Sequence, residues 1–161
     1  MHHHTTAAFP VVIALFMYAL PGGDNAKAEA ARKELKRLAG TWECAFMGSN
    51  GRVIRSDLGR FFGDEGHRMT ILEDGSLVRK TKDGRRFKYR LDPTARPKTW
   101  DYLCSPDKGG DKLVTVGIYE LDDNELVICY AASGHPRPTD FTFNRGSYRF
   151  FEIWHRVKDK K

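Results

Sequence analysis

The chain has 161 residues, of which 40% are hydrophobic and 30% are charged, and its formal net charge is +6. This length suffices for one domain with a buried core, and the composition argues against a disordered or membrane-embedded protein. The positive charge favours negatively charged partners or surfaces, although many soluble proteins are as basic without binding a polyanion.

An uncharged apolar run, FPVVIALFMYAL, occupies residues 9–20 and is followed by Pro-Gly-Gly. The run is shorter than the roughly 20 residues that a membrane-spanning helix needs, and the small residues around Ala28 suit an export cleavage site. No Lys or Arg precedes the run, so an uncleaved anchor and a buried N-terminal helix are the alternatives. We predict a signal peptide over residues 1–28 and an exported protein, periplasmic or extracellular, that loses the three N-terminal histidines.

The next segment, DNAKAEAARKELKRL at residues 24–38, is rich in helix-forming residues. Asp24 or Asn25 can cap the start of a polar helix, and Gly40 can end it. Cleavage after Ala28 would leave only the second half as a short helical lead-in over residues 29–39.

From Gly40 onward, β-branched and aromatic runs recur every 8–12 positions and are separated by turn residues. Ten candidate strands follow in order: TWECAFM, RVIRSDL, HRMTILE, SLVRKTK, RRFKYRLD, KTWDYLC, KLVTVGIYEL, ELVICYA, DFTF and SYRFFEIWHRV. The pattern predicts one all-β domain over residues 40–158, an antiparallel barrel of about eight strands joined mostly by hairpins.

Alternation indicates which side chains face inward. Several strands carry large apolar side chains on one face only, and closing the sheet into a barrel would bury that face. A barrel of this size can hold one modest apolar ligand. The predicted interior residues are Trp42, Phe46, Tyr89, Trp100 and Tyr102.

Four blocks occur in a characteristic order: LAGTW at 38–42, LDPTARPKTWDY at 91–102, GIYELDDNELVICYA at 117–131 and RPTDF at 137–141. Together they resemble a family of small exported planctomycete proteins with a lipocalin-like domain and no assigned function. The likeness covers residues 38–158 and implies a barrel without a transferable catalytic set.

Gly40-Thr41-Trp42 is also similar to the Gly-x-Trp start of lipocalin barrels, in which a basic residue of the last strand covers the tryptophan. That resemblance makes Arg149 and Arg156 the candidates here, and a cation–π contact would be the physical reason.

The acidic stretch Asp122–Glu125 lies between two apolar runs, where Asp and Asn suit a tight turn, and it lacks the spacing of an EF-hand calcium loop. The chain contains no Gly-x-Ser-x-Gly elbow and no phosphate-binding loop. We therefore predict a turn, and neither enzymatic activity, a metal nor a cofactor. Cys44, Cys104 and Cys129 are expected to be small buried residues, with one disulfide left open as a possibility.

The most unusual surface feature is the basic hairpin at residues 79–90, whose sequence is RKTKDGRRFKYR. Alternation places Arg86, Lys88 and Arg90 on one strand face, which is either a solvated face or a surface for anionic lipids or glycans. Nucleic acid is not expected, because the aromatic residues of this strand face the core.

Three functions compete. The first is a monomeric exported module that binds a small apolar ligand. The second is a structural or interaction protein of the cell envelope, with a filled barrel and a basic surface. The third and weakest is an extracytoplasmic hydrolase.

Overall fold

A computed structural model of the chain describes residues 22–54, 67–79, 86–104 and 112–158. Residues 1–21 of the predicted signal peptide (residues 1–28) and the turn at Asp83-Gly84 lie outside these ranges. One helix is followed by nine strands: α1 (Gly22–Leu38), β1 (Gly40–Ser49), β2 (Arg52–Val53), β3 (Arg68–Ile71), β4 (Ser76–Arg79), β5 (Arg86–Asp92), β6 (Thr99–Cys104), β7 (Lys112–Leu121), β8 (Glu125–Ala131) and β9 (Arg149–Arg156).

The strands form a closed antiparallel barrel, as the sequence predicts. Each strand from β3 to β9 pairs with the next, β3 also pairs with β1, and the β1–β9 pairing closes the ring of eight strands. The two-residue strand β2 extends the sheet beside β1. Closure removes the open edges that would otherwise pair with other chains.

The two ends of the barrel differ. At the helix end lie α1 and the connections β3–β4, β5–β6 and β7–β8, whereas β1–β2, β4–β5, β6–β7 and β8–β9 connect at the far end. Leu38 of α1 is fully buried and Leu35 packs against the same core, so the helix covers the barrel floor. This burial explains why a polar helix is held in place, since packing rather than propensity supplies most helical stability.

Polar contacts also fasten α1 to the barrel. Lys27 forms an ion pair with Asp92 at 2.6 Å, and Glu34 contacts Lys98 at 2.6 Å. The hydroxyl of Tyr119 donates to Glu34 over 3.2 Å. The helix is continuous across the predicted cleavage position, so a chain cut after Ala28 would lose the first of these ion pairs and keep the second.

The barrel interior is packed with large apolar side chains. All three tryptophans are fully buried. The core cluster comprises Leu38, Trp42, Met69, Ile71, Leu77, Tyr89, Leu91, Trp100, Tyr119, Leu126, Ile128 and Trp154. These residues alternate with outward ones along the strands, so the period-2 pattern of the sequence is what builds the core.

Strand β1 departs from the predicted alternation. Its register against β9 shifts between Cys44 and Phe46, which makes Ala45 the extra residue of a β-bulge. Phe46 therefore does not share the inward face with Trp42, and it contacts Phe143 and Phe151 instead, at ring centroid distances of 5.9 and 5.8 Å. The predicted interior position of Phe46 is wrong, because one inserted residue reverses the facing of every residue after it.

The segment at residues 132–148, which we call the arm, packs on the outer wall. It contains no strand, so the strand predicted at DFTF (residues 140–143) is wrong. Asp140 accepts from the backbone N–H of Thr142 at 2.8 Å, and this local turn competes with strand pairing. Phe143 stacks on Phe151 at 5.2 Å, and a Cβ at Gly48 would collide with the Phe143 ring.

Within the described residues, the helix is neither long nor apolar enough to cross a lipid bilayer.

Candidate functional site

The floor of the barrel is closed around Trp42. Its indole Nε1 donates to the carbonyl of Leu38 over 2.8 Å, and the side chain is fully buried. The guanidinium of Arg156 lies 4.2 Å from the ring centroid. Of the two predicted basic residues, Arg156 therefore covers the tryptophan, whereas Arg149 forms an ion pair with Asp140 at the far end.

Above this floor, Tyr89 and Trp100 stack with parallel rings 4.4 Å apart. The hydroxyl of Tyr89 and the indole nitrogen of Trp100 are buried and have no hydrogen-bond partner among the described residues. Burial raises the pKa of Tyr89, and the charge of Asp74 raises it further. Both polar atoms are inaccessible to water, so this level of the barrel is filled by protein.

The interior changes character toward the far end. Tyr102, Tyr130 and Phe150 face inward by register, yet they remain partly exposed. Phe150 stacks on Tyr130 at a centroid distance of 5.1 Å, and Tyr102 meets Tyr130 edge-on at 5.4 Å. The far half therefore presents aromatic surface that the protein does not fully cover.

A carboxylate lies beneath these aromatic rings. Glu152 is fully buried and faces inward between Tyr130 and Trp154. Tyr130 Oη donates to one of its oxygens and Trp154 Nε1 to the other, each over 2.9 Å. Such a buried acid requires donors of this kind, because an unpaired carboxylate in an apolar interior is costly.

The cysteines occupy different sides of the barrel wall. Cys44 packs against the interior core and is partly exposed, whereas Cys129 is buried on the outer face beneath Thr142 of the arm. Neither forms a disulfide within the described part of the chain. Burial raises the pKa of Cys129 to about 11, which keeps it protonated at neutral pH. The side chain of Cys104 lies outside the described part.

Sequence reasoning predicted five interior residues, and the structure separates them. Trp42, Tyr89 and Trp100 belong to the packed core, Phe46 lies on the outer side, and Tyr102 is partly exposed in the far half.

The predicted basic face follows the expected alternation. Lys88 and Arg90 are exposed while Tyr89 is buried between them. Arg90 also forms an ion pair with the buried Asp101 at 3.0 Å, so it is more than a solvated charge. The side chain of Arg86 lies outside the described part.

The acidic stretch forms the β7–β8 turn, as predicted. The backbone N–H of Asp122 donates to the Glu125 carbonyl over 2.9 Å. A cleft of about 470 Å³ lies beside this turn. Its two basic residues are already engaged: Lys98 binds Glu34, and Arg96 donates to backbone carbonyls. Three acidic residues, Glu120, Asp122 and Glu125, outnumber these two, so the cleft does not favour an anionic ligand.

Sequence reasoning missed Glu152 and the pair of Tyr130 and Phe150. The signal was present in RFFEIWHR, where Phe150, Glu152 and Trp154 share one face and an acid interrupts two aromatic residues. The position of Glu152 on an otherwise aromatic inward face is the feature that could have identified this strand as part of the candidate site.

The topology defines a lipocalin-like all-β barrel, with α1 at one end and a partly exposed aromatic interior at the other. No family model, no curated protein and no solved structure matches this chain.

Proposed function

We propose that this chain is an exported binding module that takes one small apolar, preferably aromatic, ligand into the far half of its barrel. The single observation that supports the proposal is the partial exposure of Tyr102, Tyr130 and Phe150 on inward-facing positions. Exposed aromatic faces inside a barrel favour a planar partner, because offset stacking and apolar burial both stabilise such a contact.

The packed core limits where such a ligand fits. Since Tyr89 and Trp100 are closed off by protein, the ligand would rest above them, against the ring of Tyr102 and the stacked pair of Tyr130 and Phe150. The export of the protein, its relation to the planctomycete family and its monomeric state are predictions from the sequence alone.

A neutral fluorescent probe such as 1-aminoanthracene tests the proposal. We expect saturable binding to the full chain, with quenching of intrinsic fluorescence. Ser49→Trp would add bulk at the β1 position paired with Phe150 and should block binding. Val127→Trp adds a tryptophan at a position that alternates with the inward Leu126 and Ile128, and serves as the matched control.

A second measurement does not depend on the folding of a variant. Mass spectrometry of peptides can follow alkylation of Cys44, which is partly exposed, in the unmodified chain. Bound probe should slow the labelling of Cys44. Absence of saturable binding, together with unchanged labelling, would contradict the proposal.

The alternative is a structural or interaction protein of the envelope. It is favoured by the dense packing of the helix half, in which Trp42, Trp100 and Trp154 are all fully buried. Native mass spectrometry of the protein purified from its own host separates the two functions. A retained small molecule supports the binding module, and a ligand-free protein with macromolecular partners supports the alternative.

A further inference from the structure

A second concave feature lies on the outer wall of the barrel, away from the interior site. It is a groove of about 470 Å³ whose floor is formed by β5 and β6. Lys27 of α1 stands on one side and Arg137 of the arm on the other. The lining residues are Lys27, Arg90, Leu91, Asp92, Thr99, Asp101 and Arg137.

The two carboxylates of this groove are already paired. Asp101 is 4% exposed and receives a hydrogen bond from Arg90 at 3.0 Å. Its other oxygen lies 2.6 Å from Arg137, as an ion-pair contact rather than an aligned hydrogen bond. Asp92 is paired with Lys27 at 2.6 Å and also accepts from the Thr94 hydroxyl.

The guanidinium N–H groups of Arg90 and Arg137, in contrast, are only partly occupied by hydrogen-bond acceptors. Two guanidinium groups carry about ten N–H donors between them, and they have no acceptor atoms. Three contacts are made by these groups within the described residues: Arg90 to Asp101, and Arg137 to Asp101 and to the Gly117 carbonyl. In the full chain three cationic residues face two carboxylates. In a chain that begins at Glu29, Lys27 is absent and the charges balance, so the unoccupied guanidinium donors of Arg90 and Arg137 are what carry the site.

From these unoccupied donors we propose that the groove binds an oxyanion, namely the carboxylate, phosphate or sulfate group of a small acidic molecule. The planar fork of an arginine fits such groups in bidentate geometry, and two forks reach the groove from different elements. The site is separate from the interior ligand site and does not depend on it.

Of the two arginines in the groove, Arg137 is the one that holds the arm on the barrel. Arg137 already bridges the arm to Asp101 and to Gly117, and it is the less exposed of the two. The Arg90 side chain is 66% exposed and its recorded partner in the described part is Asp101. An oxyanion would give the free donors of Arg90 their partner.

The test is an NMR titration of the full chain with inorganic phosphate, sulfate and glucuronate, each at constant ionic strength. We expect amide shifts centred on Arg90, Asp101 and Arg137, and the three titrants rank the group that is preferred. Arg90→Gln should weaken binding about tenfold, which corresponds to about 1.4 kcal/mol. Arg90→Lys keeps the charge but loses the fork, and should give an intermediate affinity.

Arg96→Gln is the matched control, because Arg96 is an exposed arginine that lies outside the groove. The Arg90 variants should stay folded, since Arg137 still pairs with Asp101. The proposal is overturned if no titrant produces shifts localised to the groove. It is equally overturned if Arg90→Gln binds as tightly as the parent, or if Arg96→Gln weakens binding as much.

Discussion

Arg156 lies over Trp42 with its guanidinium carbon 4.2 Å from the ring centroid, and it joins three parts of the fold. It donates to the Ala39 carbonyl at 2.8 Å, just after α1, and to the Asp123 carbonyl at 3.0 Å, in the β7–β8 turn. Gly40 adopts a φ of 132°, and a Cβ there would lie 2.9 Å from the Arg156 side chain. The Gly-x-Trp sequence thus has a physical basis, since glycine adopts this φ without strain and a Cβ there would displace the arginine from its position over Trp42.

Replacement of Trp42 by alanine should lower the free energy of unfolding by about 3–5 kcal/mol, the usual loss for a buried large aromatic residue. The residue is fully buried, and its indole hydrogen bond to Leu38 ties α1 to the barrel. Urea unfolding measures the change. A loss below about 1 kcal/mol, which is typical of surface positions, would show that Trp42 does not anchor the floor.

Tyr89→Phe should leave stability unchanged or raise it by up to about 1 kcal/mol, because it removes a buried hydroxyl that has no partner in the described part. Tyr119→Phe is the matched comparison, since the Tyr119 hydroxyl donates to Glu34. That change should cost about 1 kcal/mol. Thermal unfolding of both variants checks the order, and a larger loss for Tyr89→Phe would contradict it.

Much of the fold was predictable because it follows from local chemistry. Alternation in RRFKYRL places Tyr89 and Leu91 inside and Arg90 outside, as observed. The helix and the turn at residues 122–124 follow from composition and turn propensity in the same way. In each case the deciding interaction lies within a few residues of sequence.

The parts that could not be predicted depend on contacts between distant segments. The bulge at Ala45 arises from pairing between β1 and β9, and the segment TWECAFM contains no pattern that predicts it. The arm remains irregular because Phe143 packs on the outer wall and Asp140 forms a local turn. The separation of a packed helix half from a partly exposed far half likewise depends on how eight strands close.

Glu152→Leu should destabilise the barrel by about 1–3 kcal/mol, because it removes the hydrogen bonds that Tyr130 and Trp154 donate to the buried carboxylate. Glu152→Gln keeps an oxygen for the Trp154 indole and an amide for the Tyr130 hydroxyl, so we expect a smaller loss. Chemical denaturation compares the two variants. If the leucine variant equals or exceeds the glutamine variant in stability, these hydrogen bonds do not stabilise the fold.

The mature protein should begin near Glu29 and reside outside the cytoplasm. The expectation rests on the apolar run at residues 9–20 and the small residues that end at Ala28. Such a chain retains Glu34, Leu35 and Leu38, which hold α1 on the barrel floor. Sequencing the N-terminus of soluble protein from its own host checks this, and recovery of residues 1–20 in that protein would refute it.

Low pH should weaken the attachment of α1 to the barrel, because protonation of Asp92 and Glu34 removes their ion pairs with Lys27 and Lys98. The hydrogen bond from Lys27 and those from Thr94 lower the pKa of Asp92 to about 2. Burial alone raises the pKa of Glu34, but the hydrogen bond and charge of Lys98, with Arg37 and Tyr119, outweigh it and the pKa is lowered. A carboxylate with a lowered pKa stabilises the folded state above the pKa of the unfolded chain, about 4, and loses that contribution as the pH falls further.

The Asp92 contribution can be isolated by comparing Asp92→Asn, Lys27→Gln and the double variant. We expect each single change to remove about 0.5–1 kcal/mol at neutral pH, a value reduced by solvent screening because Lys27 is 55% exposed. The stability difference from the parent should shrink as the pH falls from about 4 toward 2. The double variant should lose no more than either single variant, because both changes break one ion pair. Thermal unfolding across this pH range, followed by helix circular dichroism, measures the effect.

A chain that begins at Glu29 lacks Lys27, so its stability should depend on pH as weakly as that of the single variants. If its stability depends on pH as steeply as that of the full chain, this ion pair does not hold the helix on the barrel.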